Sequence, residues 1–223
     1  QFNKKGKGLI ETLFDQEHFW NPSLNKPAGG EGTKIADPKT FEDMPLETPG
    51  VLLVNGPGMM LRYHENEAET NAVFVYDENG VKWYNTKDVA IKHENGEYEF
   101  VGRVKRNFVS GVDNIYPEQI EQILLQIPEI REVIVTSIPD DKEQFLPSYH
   151  VSLNNFNCDR KVLEDKIFTL IEKTLGTSAL PGYIEYYEEA LPRTDNGKLD
   201  PKAMEAKDKE KQENKNLVRT KVR

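Results

Sequence analysis

Three stretches of this sequence carry residue types whose spacing could do chemistry. The sharpest is Leu191-Pro192-Arg193-Thr194-Asp195-Asn196-Gly197-Lys198-Leu199-Asp200. Thr194-Asp195-Asn196-Gly197 is turn chemistry, so Lys198 is expected on a tight loop rather than on a helix face. A lysine there is a mobile point charge on a long stem, suited to reaching a phosphate or a carboxylate. The second stretch runs from Phe100 through Gly102-Arg103-Val104-Lys105-Arg106 to Ser110-Gly111 and on to Asn114-Ile115-Tyr116-Pro117. Arg103 at a strand edge could fork onto a phosphate or a ribose. The third is Trp83 to Ala90, where Asp88 at a strand end could accept hydrogen bonds from two vicinal ribose hydroxyls. Taken singly, each also reads as ordinary surface: a lysine after a turn, a basic hairpin, a turn-capping aspartate.

The elements that must position these residues change character along the chain. Up to about residue 104 the sequence is rich in glycine, proline and turn pairs, with short apolar alternations. Gly50 to Val54 reads as a strand. Ala72–Tyr76 and Val81–Tyr84, split by Asp77-Glu78-Asn79-Gly80, read as one hairpin. Ile91–His93 and Tyr98–Val104, split by Glu94-Asn95-Gly96, read as another. Beyond residue 105, Ile120, Ile123, Leu124 and Ile127 fall at helical spacing between Pro117 and Pro128. Val133–Ile138 and Tyr149–Leu153 read as strands. Asp159 caps a helix over 160–175, whose stripe is Val162, Leu163, Ile167, Leu170 and Ile171, with Gly176 as its stop. Tyr183–Tyr187 is a third strand. The expected class is therefore α+β: a β-rich, distorted barrel-like first part, then a small α+β domain. Residues 205–223 hold seven basic residues among few apolar ones and read as a solvated helix end and polar tail.

In this order the motifs resemble the AMP-forming acyl-CoA synthetases, the family that also contains firefly luciferase and the adenylation domains of peptide synthetases. Thr86-Lys87-Asp88 stands for the family's TGD segment and Gly102-Arg103-Val104-Lys105 for its GR.K segment. Gly111-Val112-Asp113-Asn114-Ile115-Tyr116-Pro117 stands for its loop into a helix, and Pro192-Arg193-Thr194-Asp195-Asn196-Gly197-Lys198 for its PRT..GK segment. Upstream, Gly50 to Thr70 looks like a further family segment, and Gly6 to Thr12 looks like a worn GYGLTET. The resemblance spans about residues 6–204 and only the C-terminal part of such an enzyme, because the family's Pro-Lys-Gly phosphate loop is not seen. The cluster Gly29-Gly30-Glu31-Gly32-Thr33-Lys34 lacks that spacing and reads as a turn.

The resemblance implies residues 1–104 as the end of the large adenylate-binding domain, 105–204 as a small mobile domain and 205–223 as a tail. It implies ATP-dependent formation of an acyl-adenylate from a carboxylic acid, then thioester formation with coenzyme A. Lys198 would bridge acyl and phosphate oxygens, Asp88 would hold the ribose, and Arg103 would support ribose or phosphate. Lys105 would be the hinge, Gly111 would lie on the coenzyme A side, and Glu11 would face Mg²⁺. ATP, AMP, Mg²⁺ and coenzyme A are the implied ligands. The implied partner is the N-terminal portion of the same ligase, without which this chain alone is not expected to be competent. Four positions depart from the pattern: Lys7 replaces an aromatic residue, Ile10 a threonine, and Lys87 and Arg62 each a glycine. The first two motivate an alternative, a non-catalytic nucleotide-binding or interaction module derived from such a ligase. Asn114-Ile115-Tyr116-Pro117 looks more like acyl- or aryl-CoA ligases than peptide synthetases.

Composition sets the outer limits. The 223 residues are 37% hydrophobic and 30% charged, enough for a core with a solvated surface. A net charge of −9 argues against nucleic acid or anionic lipid as a partner. The one cysteine, Cys158, forbids an internal disulfide and fits a reducing, cytoplasmic setting. No apolar run is long enough to suggest a transmembrane segment. The four histidines are scattered without metal or triad spacing, and read as structural or surface residues.

Overall fold

A computed structural model describes residues 23–24, 32–56 and 58–213. The readings made for Lys7, Ile10 and Glu11 fall outside these residues. The chain divides into two compact units, Gln1–Lys105 and Arg106–Arg223.

The first unit is an antiparallel sheet with strand order β1-β6-β5-β3-β2, and with β4 paired to β5. Its strands are β1 (Ser23–Leu24), β2 (Thr33–Ala36), β3 (Gly50–Val54), β4 (Phe74–Tyr76), β5 (Lys82–Lys92) and β6 (Tyr98–Arg103). The two expected hairpins are present, turning at residues 77–81 and 93–97, but they share one long strand. β5 is continuous through Thr86-Lys87-Asp88 and serves β4, β3 and β6 in succession. Register shifts between Val51 and Leu53, and between Val89 and Ala90, bend and twist it. The sheet curls, and Leu52, Leu53, Val51 and Ala90 are buried within it. Ala72 and Val73 are not strand, as their apolar pattern suggested. They end a short helix, α1 (Glu67–Val73), whose first turn is capped by the Asn66 side chain accepting from the Glu69 N–H at 3.0 Å.

The second unit follows the expected order. β7 (Phe108–Ser110) and β8 (Asp113–Ile115) precede α2 (Pro117–Leu124), β9 (Ile130–Asp140), β10 (Gln144–Leu153), α3 (Arg160–Leu175) and β11 (Tyr183–Tyr187). β10 lies between β9, antiparallel, and β11, parallel. α2 ends at Leu124, and tighter turns carry Ile127 into the core before Pro128. The Asp159 carboxylate caps α3 by accepting from the N–H groups of Lys161 and Val162, and Gly176 closes it at φ 83°.

Alternation along β9 decides what covers each face of this sheet. Val133 and Val135 pack with Ile120 and Leu124 of α2 and Leu163, Ile167 and Ile171 of α3. Ile134 points the other way and packs with Leu191 and Met204. Residues 205–223, expected as a solvated helix end and polar tail, do begin with helix, and one side of it is buried. A further helix, α4 (Pro201–Glu213), covers this second face. Its polarity hid its burial, because it is anchored by a buried carboxylate, Asp208, as much as by Met204.

Candidate functional site

Asp88 and Arg103 are paired residues of the β5–β6 ladder. Antiparallel pairing puts them side by side, and the Arg103 Nε lies 3.1 Å from Asp88 Oδ1. The Asp88 side chain is buried and the Arg103 side chain is 62% exposed. The result is a carboxylate with its charge held in place and a guanidinium that still faces outward. The backbone before Asp88 is built by local side-chain bonds. The Thr86 hydroxyl donates to the Leu52 carbonyl at 2.9 Å and accepts from the Asp88 N–H at 3.1 Å. Asn85 Oδ1 accepts from the Lys87 N–H at 2.8 Å. Lys87 itself sits at φ 62°, in the left-handed region that favours glycine. This is the position where the resembled pattern has glycine; the lysine keeps the turn at a steric cost and sets its ammonium 3.6 Å from Glu69. Tyr84 joins the cluster. Its phenol is pushed up to about 12 by burial first, then by Tyr63 and by the Asp88 charge.

Lys198 is on a tight hairpin, as turn chemistry suggested. The Thr194 N–H donates to the Lys198 carbonyl and the Gly197 N–H to the Thr194 carbonyl, both at 2.8 Å. Arg193 and Leu199 form a bridge across it. Gly197 takes φ 76°, which glycine adopts freely. The Lys198 side chain is exposed at the end of this loop.

Gly111 makes the turn between β7 and β8 at φ 61°. Its N–H donates to the Glu143 carbonyl at 2.9 Å, and a Cβ there would meet Glu143 Oε2 at 2.8 Å. Lys105 is exposed in the turn after β6. Asp88, Arg103 and Lys105 thus lie in the first unit, and Gly111 and Lys198 in the second. Two side-chain ties beside these motifs are not announced by motif spacing. Arg106 is an anchor that forks onto Glu121 of α2, and Glu132 holds the Lys198 loop. Their partners are 15 and up to 61 residues away, so no local spacing announces them.

Residues 119–198 match the family model of the AMP-binding enzyme C-terminal domain. The chain belongs to the adenylate-forming ligases. It is 31% identical over 186 residues to bacitracin synthase 2 of Bacillus licheniformis, covering 83% of this chain and 7% of that protein. It is 27% identical over 206 residues to a long-chain-fatty-acid–CoA ligase of Escherichia coli O6:H1, covering 89% of this chain and 35% of that protein. Among adenylate-forming ligases of known structure, o-succinylbenzoate CoA synthetase of Bacillus subtilis, solved with an acyl-adenylate, superimposes with a TM-score of 0.70. That match covers 82% of this chain and 35% of the other at 24% identity, and shows the shared α+β fold. The chain spans about a third of the length of the acyl-CoA ligases it matches. Among the described residues, no helix is long and apolar enough to cross a membrane.

Proposed function

We propose that this chain supplies the C-terminal part of an ATP-dependent, AMP-forming carboxylate–CoA ligase. The observation that carries this reading is the Asp88–Arg103 pair. A buried, acceptor-only carboxylate beside an outward guanidinium suits vicinal ribose hydroxyls next to a phosphate. A carboxylate oxygen of the substrate attacks the α-phosphorus, pyrophosphate leaves, and a thiol then attacks the acyl carbon and releases AMP. In the first step Lys198 neutralises oxygens on both reacting groups, a role that depends on positioning and charge. Lys105 is the pivot that separates the two steps, and the Gly111 turn faces the thiol in the second. The preferred thiol is coenzyme A, supported by the Asn114-Ile115-Tyr116-Pro117 loop and by relatives named as CoA ligases. The candidate Mg²⁺ ligand, Glu11, lies outside the described residues, and among those described no three His, Cys, Asp or Glu side chains gather to hold a metal.

Titration of the complete ligase with AMP and 2′-deoxy-AMP tests the nucleotide site. Asp88→Asn should weaken AMP binding about tenfold, the worth of a hydrogen bond to a charged group, and should abolish the preference for the ribonucleotide. A variant that keeps both affinity and preference would remove Asp88 from the site.

A further inference from the structure

The loop that carries Lys198 is held from beneath by a single carboxylate. Glu132 lies on the face of β9 that also carries Ile134 and Thr136, and its side chain is only 14% exposed. One oxygen, Oε2, accepts from the Leu191 N–H at 2.8 Å, at the entry to the loop. The other, Oε1, pairs with Arg193 Nη2. The second terminal nitrogen of Arg193 donates to the Gly197 carbonyl at 2.7 Å. The contacts run from β9 through Glu132 and Arg193 to the residue immediately before Lys198. The Arg193 end of the pair is half open to water, where screening limits what it adds to stability. What it offers is orientation, because a guanidinium presents two donors in a rigid fork and an ammonium does not.

We propose that Glu132 and Arg193 are positioning residues that fix where Lys198 is presented. The proposal deepens, and rests on, the reading of Lys198 as the adenylating lysine. Arg193→Lys keeps the charge but cannot reach both Glu132 and Gly197 with a fixed fork. Glu132→Gln keeps an acceptor for Leu191 but loses the charge facing Arg193.

Two readouts test it. In hydrogen exchange on this chain, Arg193→Lys and Arg193→Ala should speed exchange of the Thr194 and Gly197 amides about tenfold while melting stays near that of the parent. In the complete ligase, each variant should slow acyl-adenylate formation about ten- to a hundredfold, with KM for ATP and transfer from preformed acyl-adenylate both close to the parent. In a Lys198→Ala background, Arg193→Ala should add no further loss. Unchanged amide exchange overturns the clamp, and so does an Arg193 effect that persists without Lys198 or falls equally on both half-reactions. If Lys198→Ala leaves adenylation intact, the reading of Lys198 fails instead, and the exchange result alone decides the clamp.

Discussion

Arg106 forks onto Glu121, its two terminal nitrogens 3.2 and 2.6 Å from the two carboxylate oxygens. The same guanidinium also donates to the Val135 carbonyl at 3.1 Å and meets Glu118 at 3.1 Å. Burial works against its charge, but the Glu121 and Glu118 carboxylates hold it above the ordinary arginine value. On the other side of Lys105, the Val104 N–H donates to the Lys87 carbonyl at 3.0 Å. Lys105 is thus the one residue between an anchor in the first unit and an anchor in the second.

Removing one partner of a largely buried ion pair leaves the other uncompensated. Arg106→Ala should cost roughly 3 kcal/mol, read as a lower urea midpoint for the second unit. Lys105→Pro removes no side-chain hydrogen bond or ion pair among the described residues but restricts φ at the proposed pivot. It should leave stability near the parent and alter the adenylation and thiol-transfer rates unequally. Equal rates at parent level would move the pivot elsewhere.

A buried polar cluster beneath α4 makes a pH-dependent contribution. His150 is fully buried. Its Nε2 lies 3.0 Å from Asp208 Oδ2 and 3.2 Å from the Thr136 hydroxyl, and its Nδ1 lies 3.1 Å from the Tyr187 hydroxyl and 3.7 Å from Glu185. Lys207 and Lys211 of α4 reach the Tyr187 and Glu185 side of the cluster. Burial disfavours the imidazolium, but the Asp208 and Glu185 carboxylates outweigh it and raise the pKa. A raised folded-state pKa stabilises fully below the unfolded value of about 6.5 and loses that contribution as pH climbs through the raised value. Urea midpoints should therefore fall between pH 6 and pH 8 in the parent, and fall less in His150→Gln. His93, raised by Glu47, acts with the same sign in the first unit, so the difference between parent and variant is the quantity to read. Parallel curves would show that His150 does not change charge in this window.

Lys87 holds a left-handed conformation that costs an L-residue roughly 1–2 kcal/mol. Lys87→Gly removes that cost and gives up a surface ion pair worth less. It should stabilise the first unit by about 1 kcal/mol in denaturant titration. A destabilised variant would mean that the contact with Glu69 matters more than the backbone.

Sequence pattern served where a signal was local. The helix Arg160–Leu175 was visible from its cap, stripe and stop, and the Lys198 hairpin from Thr194 to Gly197. It failed where the deciding contact was distant or polar. Ala72 and Val73 looked like strand until Asn66 was seen to start a helix before them. β5 looked like two strands because its bulge falls inside the Thr86–Asp88 motif region. The α4 helix looked solvated because its buried anchor is Asp208, whose partners Thr136 and His150 lie 72 and 58 residues away. Of the site, residue types were readable from motifs; the Asp88–Arg103 pairing and the Glu132–Arg193 contact needed the sheets.

The most direct test of the account separates the two half-reactions in the complete ligase with Lys198→Ala. Acyl-adenylate formation, followed by pyrophosphate release, should fall by at least about a hundredfold, the usual cost of losing a charge-stabilising donor. Thioester formation from preformed acyl-adenylate and coenzyme A should stay within a few-fold of the parent. Loss of both steps to the same degree, or of neither, would contradict the role given to Lys198.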